Sequence, residues 1–135
     1  MIETVPLISQ QKESLIDITS QVVHLLRMGR VVNGVVTLFT PDAGTGLVIC
    51  SGDQRDTSRD IFDLLGILIP EGVWLHDRGC GGADAHLKSA LGGSSESIPF
   101  MNGSLALGPD QKIFFCDFDG PRRDRKVVCS VISDR

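Results

Sequence analysis

The residue types able to do chemistry in this chain are few, and they fall in three places. His76-Asp77 opens a glycine-rich stretch, Arg78-Gly79-Cys80-Gly81-Gly82, with Asp84 and His86 just beyond it. Imidazole and carboxylate are the donors that zinc and harder divalent cations take. Spacing alone leaves His76, His86 and a carboxylate open between a metal set and unrelated polar groups. The glycines permit close backbone approach to a ligand, and they suit a plain connection equally well. Asp42 stands apart, in Pro41-Asp42-Ala43-Gly44. The third place is Arg122-Arg123-Asp124-Arg125-Lys126, whose guanidinium forks match phosphate oxygens bidentately. At a hairpin tip the same run is also the ordinary make-up of a solvated turn. His24 lies within an apolar helical run and reads as a structural histidine. There is no P-loop, no GxGxxG after a strand, no HExxH and no GxSxG.

The elements that must position these groups are short. Ser14-Leu15-Ile16-Asp17-Ile18 alternates like a half-buried strand. Thr19 or Ser20 then suits the cap of a short helix carrying Val22, Val23, Leu25 and Leu26, with Gly29 as its stop. Two β-rich runs follow, at Val35 to Phe39 and Gly46 to Cys50. A helix is expected from Thr57 to Leu68, burying a stripe of Ile61, Leu64, Leu65 and Leu68 before Pro70. A second is expected over Asp84 to Leu91. The remainder reads as strands: Ser97 to Met101, Ser104 to Leu107, Lys112 to Asp119 and Lys126 to Ile132.

Composition bounds the fold class. The chain has 135 residues, 41% hydrophobic and 22% charged, which suits one globular domain and excludes a disordered chain. No apolar run reaches the roughly 18 residues of a membrane-spanning helix. The start, MIETVPLISQ, lacks the basic and apolar segments of a secretory signal, so the cytoplasm is expected. A formal charge of -4 and a pI near 5.2 argue against a general nucleic-acid binder. Tyrosine is absent, tryptophan occurs once, and nine arginines outnumber four lysines. The four cysteines, Cys50, Cys80, Cys116 and Cys129, form no CxxC pair, which disfavours a zinc knuckle and favours reduced thiols.

The last two strands suggest a hairpin around Gly120-Pro121-Arg122-Arg123-Asp124. One register sets Phe114, Cys116 and Phe118 opposite Val131, Cys129 and Val127, with Asp119 facing Lys126. Cys116 and Cys129 are then expected as cross-strand neighbours in the core. The other face carries Ile113, Phe115, Val128 and Ile132. Strands apolar on both faces belong inside a sandwich or at a subunit interface, so self-association is expected.

Three segments carry a resemblance. Ala85-His86-Leu87-Lys88-Ser89-Ala90-Leu91-Gly92, then Leu107-Gly108, then Cys116-Asp117-Phe118-Asp119-Gly120-Pro121-Arg122-Arg123 resemble the YjbQ family, whose members read AHLKASLLG, LGTWQ and CEFDGPRRR in this order. Asp17-Ile18-Thr19 and Gly34 to Phe39 fit the family's D-I-T and G-x-V-x-V-F segments. The resemblance covers nearly the whole chain and implies a single α+β domain. By the same resemblance that domain would be an antiparallel β-sandwich with helices packed outside, assembled as a homotrimer. It also implies a thiamine-phosphate-synthase-like transferase, joining a pyrimidine diphosphate to a thiazole phosphate and releasing pyrophosphate. His76, His86 and Asp42 would be the catalytic and metal residues, with zinc or magnesium as the candidate ion. Arg122, Arg123 and Lys88 would bind the phosphorylated ligand. No nucleic acid or membrane partner is implied.

The chain departs from the family pattern at that site. The family's P-H-T-T-A-A loop is Pro41-Asp42-Ala43-Gly44-Thr45-Gly46 here, so Asp42 replaces a histidine. The N-E pair that follows it corresponds to Cys50-Ser51, and LGTWQ becomes Leu107-Gly108-Pro109-Asp110-Gln111. An oxygen donor at position 42 shifts metal preference from zinc toward magnesium or manganese. The same losses support the alternative of a catalytically decayed trimeric binding or scaffold protein.

Overall fold

The computed structural model describes residues 1–52, 54–75 and 82–134. Among these residues eight strands and three helices run in the order β1 (Ile2–Ser9), β2 (Ser14–Asp17), α1 (Thr19–Met28), β3 (Gly34–Phe39), β4 (Thr45–Ser51), α2 (Gln54–Leu68), α3 (Ala83–Gly92), β5 (Ser95–Met101), β6 (Ser104–Leu105), β7 (Gln111–Asp117) and β8 (Arg122–Ser133). The strands make two antiparallel sheets, β1-β8-β3-β5-β6 and β2-β7-β4. The domain is therefore mixed α+β. Among the described residues no helix is long and apolar enough to cross a membrane.

Period-2 alternation explains the main core. Val36, Leu38, Ile98, Phe100, Val127 and Cys129 of the larger sheet meet Leu47, Ile113 and Phe115 of the smaller one. Helix α1 adds Val22 and Leu26 to that same cluster, so one of the three helices contributes to the main core instead of lying wholly outside it. It ends at Gly29 as its sequence requires, but neither Thr19 nor Ser20 caps its start. The cap position is Ile18, and Asp17 just before it accepts the Thr19 N–H on Oδ1 at 2.9 Å. Thr19 Oγ1 is thereby free to accept the Ile113 N–H at 2.9 Å, tying the helix to β7. Strand β1 is absent from the sequence expectations because Pro6 interrupts its pattern. It lies at a sheet edge, where a missing N–H can be tolerated.

The expected β7–β8 hairpin is not formed. Strand β7 pairs with β2 and β4, whereas β8 pairs with β1 and β3. Residues 118–121 carry the chain from one sheet to the other. Cys129 consequently packs in the main core, while Cys116 joins Leu15, Phe114, Phe118 and Ala85 in a second cluster. Asp119 pairs with Arg122 at 3.9 Å in place of Lys126. The apolar faces that suggested a hairpin instead serve two different cores. Helices α2 and α3 cover the second face of β7 with Ile61, Phe62, Leu65 and Ala85. Edge-to-face packing of Phe62 on Phe118, centroids 6.1 Å apart, turns α2 so that Leu64 and Leu68 remain exposed, contrary to the stripe its spacing suggests. Among the described residues the outer face of β8 has no such cover: Ile132 is 76% exposed, beside exposed Val35 and Phe39 on β3.

The crossover is fixed by a buried ion pair. Asp117 is fully buried and accepts from Arg125 Nε at 3.0 Å and Nη2 at 3.2 Å. Its carboxylate also accepts from Ser9 Oγ at 2.6 Å and from the Asp119 N–H at 2.9 Å. Ser9 Oγ in turn accepts the Arg122 N–H at 2.9 Å. Burial works against the Arg125 cation. The hydrogen bonds and charge of Asp117, with Asp42 and Asp119 nearby, outweigh it and raise the guanidinium pKa. Gly120 sits where a Cβ would stand 2.2 Å from the Gln11 carbonyl oxygen, so only glycine lets the loop before β2 close against the crossover.

Asp117→Asn leaves the Arg125 guanidinium buried without its counter-charge, and a loss of about 3–5 kcal/mol is expected in urea denaturation. Ser9→Ala is expected to cost about 1–3 kcal/mol. Equal stability of Asp117→Asn and the parent would show that the junction does not hold the sheets. Cys50, Cys116 and Cys129 are free thiols. Burial pushes Cys116 up to about 12 and Cys129 up to about 11. A raised thiol pKa stabilises the fold below the unfolded value, and that stability is lost as the unfolded chain ionises. Unfolding free energy is therefore expected to fall as pH rises from about 9 toward 11, less steeply in Cys116→Ala/Cys129→Ala. Identical slopes would refute the assignment.

Candidate functional site

The arginine run is not at a hairpin tip: it opens β8 and pairs with β1. Between Leu7↔Arg125 and Ser9↔Arg122 the larger sheet takes two steps on β1 and three on β8. This is a β-bulge. Arg123 and Asp124 together oppose Ile8, which breaks the alternation and re-aims the side chains around it. Arg125 turns inward to Asp117, with its side chain only 10% exposed. Arg122, Arg123 and Asp124 all stay at the surface, lining a cleft of about 700 Å³ with Ile8, Ser9 and Pro121. Arg122 carries a long 3.9 Å pair to Asp119, and Arg123 has no ion-pair partner among the described residues.

A second cleft of about 450 Å³ adjoins the first, the two sharing Ile8 and Gln10. Its walls include Gln11, Glu13, Leu15 and Phe62. Lys88 lies behind it. The ammonium is buried, 3.3 Å from Asp84 Oδ2 one helical turn earlier and 3.2 Å from Glu13 Oε2. Lys88 is thus held by two carboxylates and not presented on the arginine cleft. Asp84 Oδ1 is buried without a hydrogen-bond partner among the described residues. The resemblance implies Lys88 as a phosphate ligand; on α3, Asp84, Lys88 and Ser89 share the packed face with Ala85.

The remaining candidates are placed separately. Asp42 turns toward Arg125, Oδ1 to Nη1 at 3.9 Å, with Oδ2 buried and unpartnered among the described residues. His86 is on the exposed side of α3, in an apolar cleft with Trp74, Leu75, Ala83 and Leu87. Trp74 is fixed there by its indole N–H, which donates to the Pro70 carbonyl at 2.6 Å. His76 and residues 77–81 lie outside the described residues. Among the described residues no three His, Cys, Asp or Glu side chains gather as a metal requires. Asp42 faces a guanidinium, so the described donors do not fit a divalent ion.

The residues that sequence reasoning missed are Ser9, Glu13 and Asp117. Asp117 stands where the resembling family has glutamate, immediately before Phe118-Asp119-Gly120, and its neighbourhood to three arginines in sequence was the available signal. Ser9 and Glu13 carry no sequence signal, because their roles depend on contacts with partners 108 and 75 residues away.

Comparison with known proteins gives a consistent answer. A UPF0047 protein from Archaeoglobus fulgidus is 41% identical over 119 residues, covering 87% of this chain and 91% of that protein. A UPF0047 protein from Methanocaldococcus jannaschii is 34% identical, covering 94% of this chain and 91% of that one. The crystal structure of an uncharacterised protein of the YjbQ/UPF0047 family from Clostridium acetobutylicum superposes with a TM-score of 0.87 at 35% identity, over 98% of this chain and 99% of that one. A YbjQ-like protein of unknown function from Sulfolobus solfataricus shares the fold, with a TM-score of 0.94 at 24% identity over 99% and 97% of the two chains. The family model for UPF0047 protein YjbQ-like matches residues 3–134, and the chain belongs to that family.

Proposed function

We propose that this protein binds a small phosphorylated ligand in the arginine cleft, as the diphosphate subsite of a thiamine-phosphate-synthase-like transferase. The observation that carries the reading is the bulge in β8. Regular alternation would put neighbouring residues on opposite faces, yet Arg122 and Arg123 line one cleft. Their guanidinium groups are available to phosphate oxygens because Arg125 is the arginine that pairs with Asp117. In a reaction that expels pyrophosphate, such donors stabilise the negative charge gathering on the leaving group. Asp124 on the same cleft sets a limit on its anion affinity and favours ligands that also bring a hydrogen-bond donor. The engagement of Asp42 by Arg125 favours a second reading, a binding or scaffold protein of the same fold without turnover.

The proposal includes the homotrimer, with the two sheets as layers of a sandwich. Support comes from the uncovered outer face of the larger sheet, where Ile2, Val35, Phe39 and Ile132 are exposed together. Single monomers rarely leave contiguous apolar surface of this kind. Light scattering is expected to give three times the 14.6 kDa chain mass, and Phe39→Glu/Ile132→Glu is expected to give the single chain. A monomeric parent would overturn the trimer.

Calorimetry with inorganic pyrophosphate tests the site. Binding is expected in the parent and weakened at least about tenfold in Arg122→Ala/Arg123→Ala. Incubation with the pyrimidine diphosphate and thiazole phosphate then separates the two readings. Thiamine phosphate and pyrophosphate as products support the transferase, binding without products supports the scaffold, and no pyrophosphate binding overturns both.

A further inference from the structure

We propose that a separate cleft along α1 is a second binding site, for a small open-chain dicarboxylate held between Lys112 and Arg27. The proposal stands apart from the phosphate reading. This cleft, of about 490 Å³, shares no lining residue with either cleft at the crossover. Lys112 lines it from the start of β7, five residues and about 17 Å along the strand from Asp117.

The other wall is one face of α1, where Ser20, Val23, His24 and Arg27 recur at i, i+3, i+4 and i+7. Thr19 and Arg27 are eight residues apart, about 12 Å of helix. A long helical side chain leans toward the N-terminus, so Arg27 reaches from the last turn toward the Lys112 end. Two cations thus stand at opposite ends of one cleft, with Val23 and His24 between them. Neither is used by the fold: Arg27 and Lys112 have no ion-pair partner among the described residues. The Lys112 stem lies against Gly52, where a Cβ would stand 2.8 Å from its Cγ and 3.4 Å from its Cε. A stem seated in this way has less freedom to lose when its ammonium binds an anion.

Thr19 adds a donor beside Lys112. Its Oγ1 accepts the Ile113 N–H at 2.9 Å, which leaves its own proton for an acceptor in the cleft that it lines. Asp17 sets the class of anion. It pairs with Phe114, two residues from Lys112 on the same face of β7, and its Oδ1 is tied to the Thr19 N–H. That fixed negative charge opposes a phosphate, whose two charges would both fall at the Lys112 end. A dicarboxylate divides them. One carboxylate meets Lys112 and Thr19, the other takes the Arg27 fork, and the methylene chain between them lies on Val23.

Calorimetry with glutarate, acetate and inorganic phosphate tests the site. Each is titrated into the parent and into Arg122→Ala/Arg123→Ala, which disables the arginine cleft. In that variant glutarate is expected to bind as in the parent, about tenfold or more tightly than acetate or phosphate. Lys112→Met, which keeps the stem on Gly52, and Arg27→Gln are each expected to reduce glutarate to the level of acetate. The charged ends of both residues make no contact that the fold uses, so the circular dichroism of these variants is expected to match the parent. Glutarate no tighter than acetate, or glutarate binding that survives both substitutions, overturns the site. Loss of glutarate binding in Arg122→Ala/Arg123→Ala places the ligand in the other cleft and overturns it equally. Phosphate binding more tightly than glutarate in that variant overturns the assignment to a dicarboxylate.

Discussion

The structure depends on one buried ion pair. Asp117 closes the smaller sheet, Arg125 belongs to the larger one, and the four residues between Asp117 and Arg122 carry the chain across. A charge pair removed from water stabilises a fold only when its remaining donors and acceptors are satisfied. Here the carboxylate has four donors, and Arg125 adds a bond to the Asp119 carbonyl at 3.3 Å. Because Ser9 joins through its hydroxyl, the end of β1 and the start of β8 are locked to the same carboxylate. The bulge, the cleft and the seating of loop 10–13 all hang from this point. What resembles a binding motif in sequence is thus divided: its aspartate and third arginine hold the fold, and its first two arginines face the cleft.

The second organising feature is the use of β7 on both faces. Ile113 and Phe115 enter the main core, while Phe114 and Cys116 enter a second cluster under α2 and α3. A three-stranded sheet buried on both sides needs cover from elsewhere in the chain, and the two helices between β4 and β5 provide it. That cover places Lys88 and Asp84 in a packed environment. A charged residue in such a place persists only when paired, and Glu13 at the cleft is the outer member of that pairing.

Most of the fold was legible as local pattern. Strands β3, β4 and β5 and the end of α1 at Gly29 sit where β-branched runs and glycine stops put them. The pairing of β7 was not legible, because alternation specifies which residues share a face and says nothing about which strand lies beside it. A hairpin satisfied Phe114, Cys116 and Phe118 on paper as well as the crossover does in fact. The exposed Leu64 and Leu68 have the same origin: a periodic stripe leaves a helix free to rotate by one neighbour, and Phe62 decides the rotation. In the site, Arg122 and Arg123 could be singled out by charge, but the bulge that puts them on one surface depends on register with β1. Glu13 and Ser9 are ordinary loop and strand-end residues until the chain is folded.

The tether of Trp74 to Pro70 has an optical consequence. With tyrosine absent and a single tryptophan, the near-ultraviolet emission of this protein originates almost wholly at one indole. That indole lies beside α3, against Leu87 and His86, and away from the walls of the arginine and Glu13 clefts. Its emission wavelength and quenching report solvent access at the helix-covered side of the molecule. They are silent on the junction of the two sheets, so an unchanged spectrum is compatible with large events at the other end of the fold.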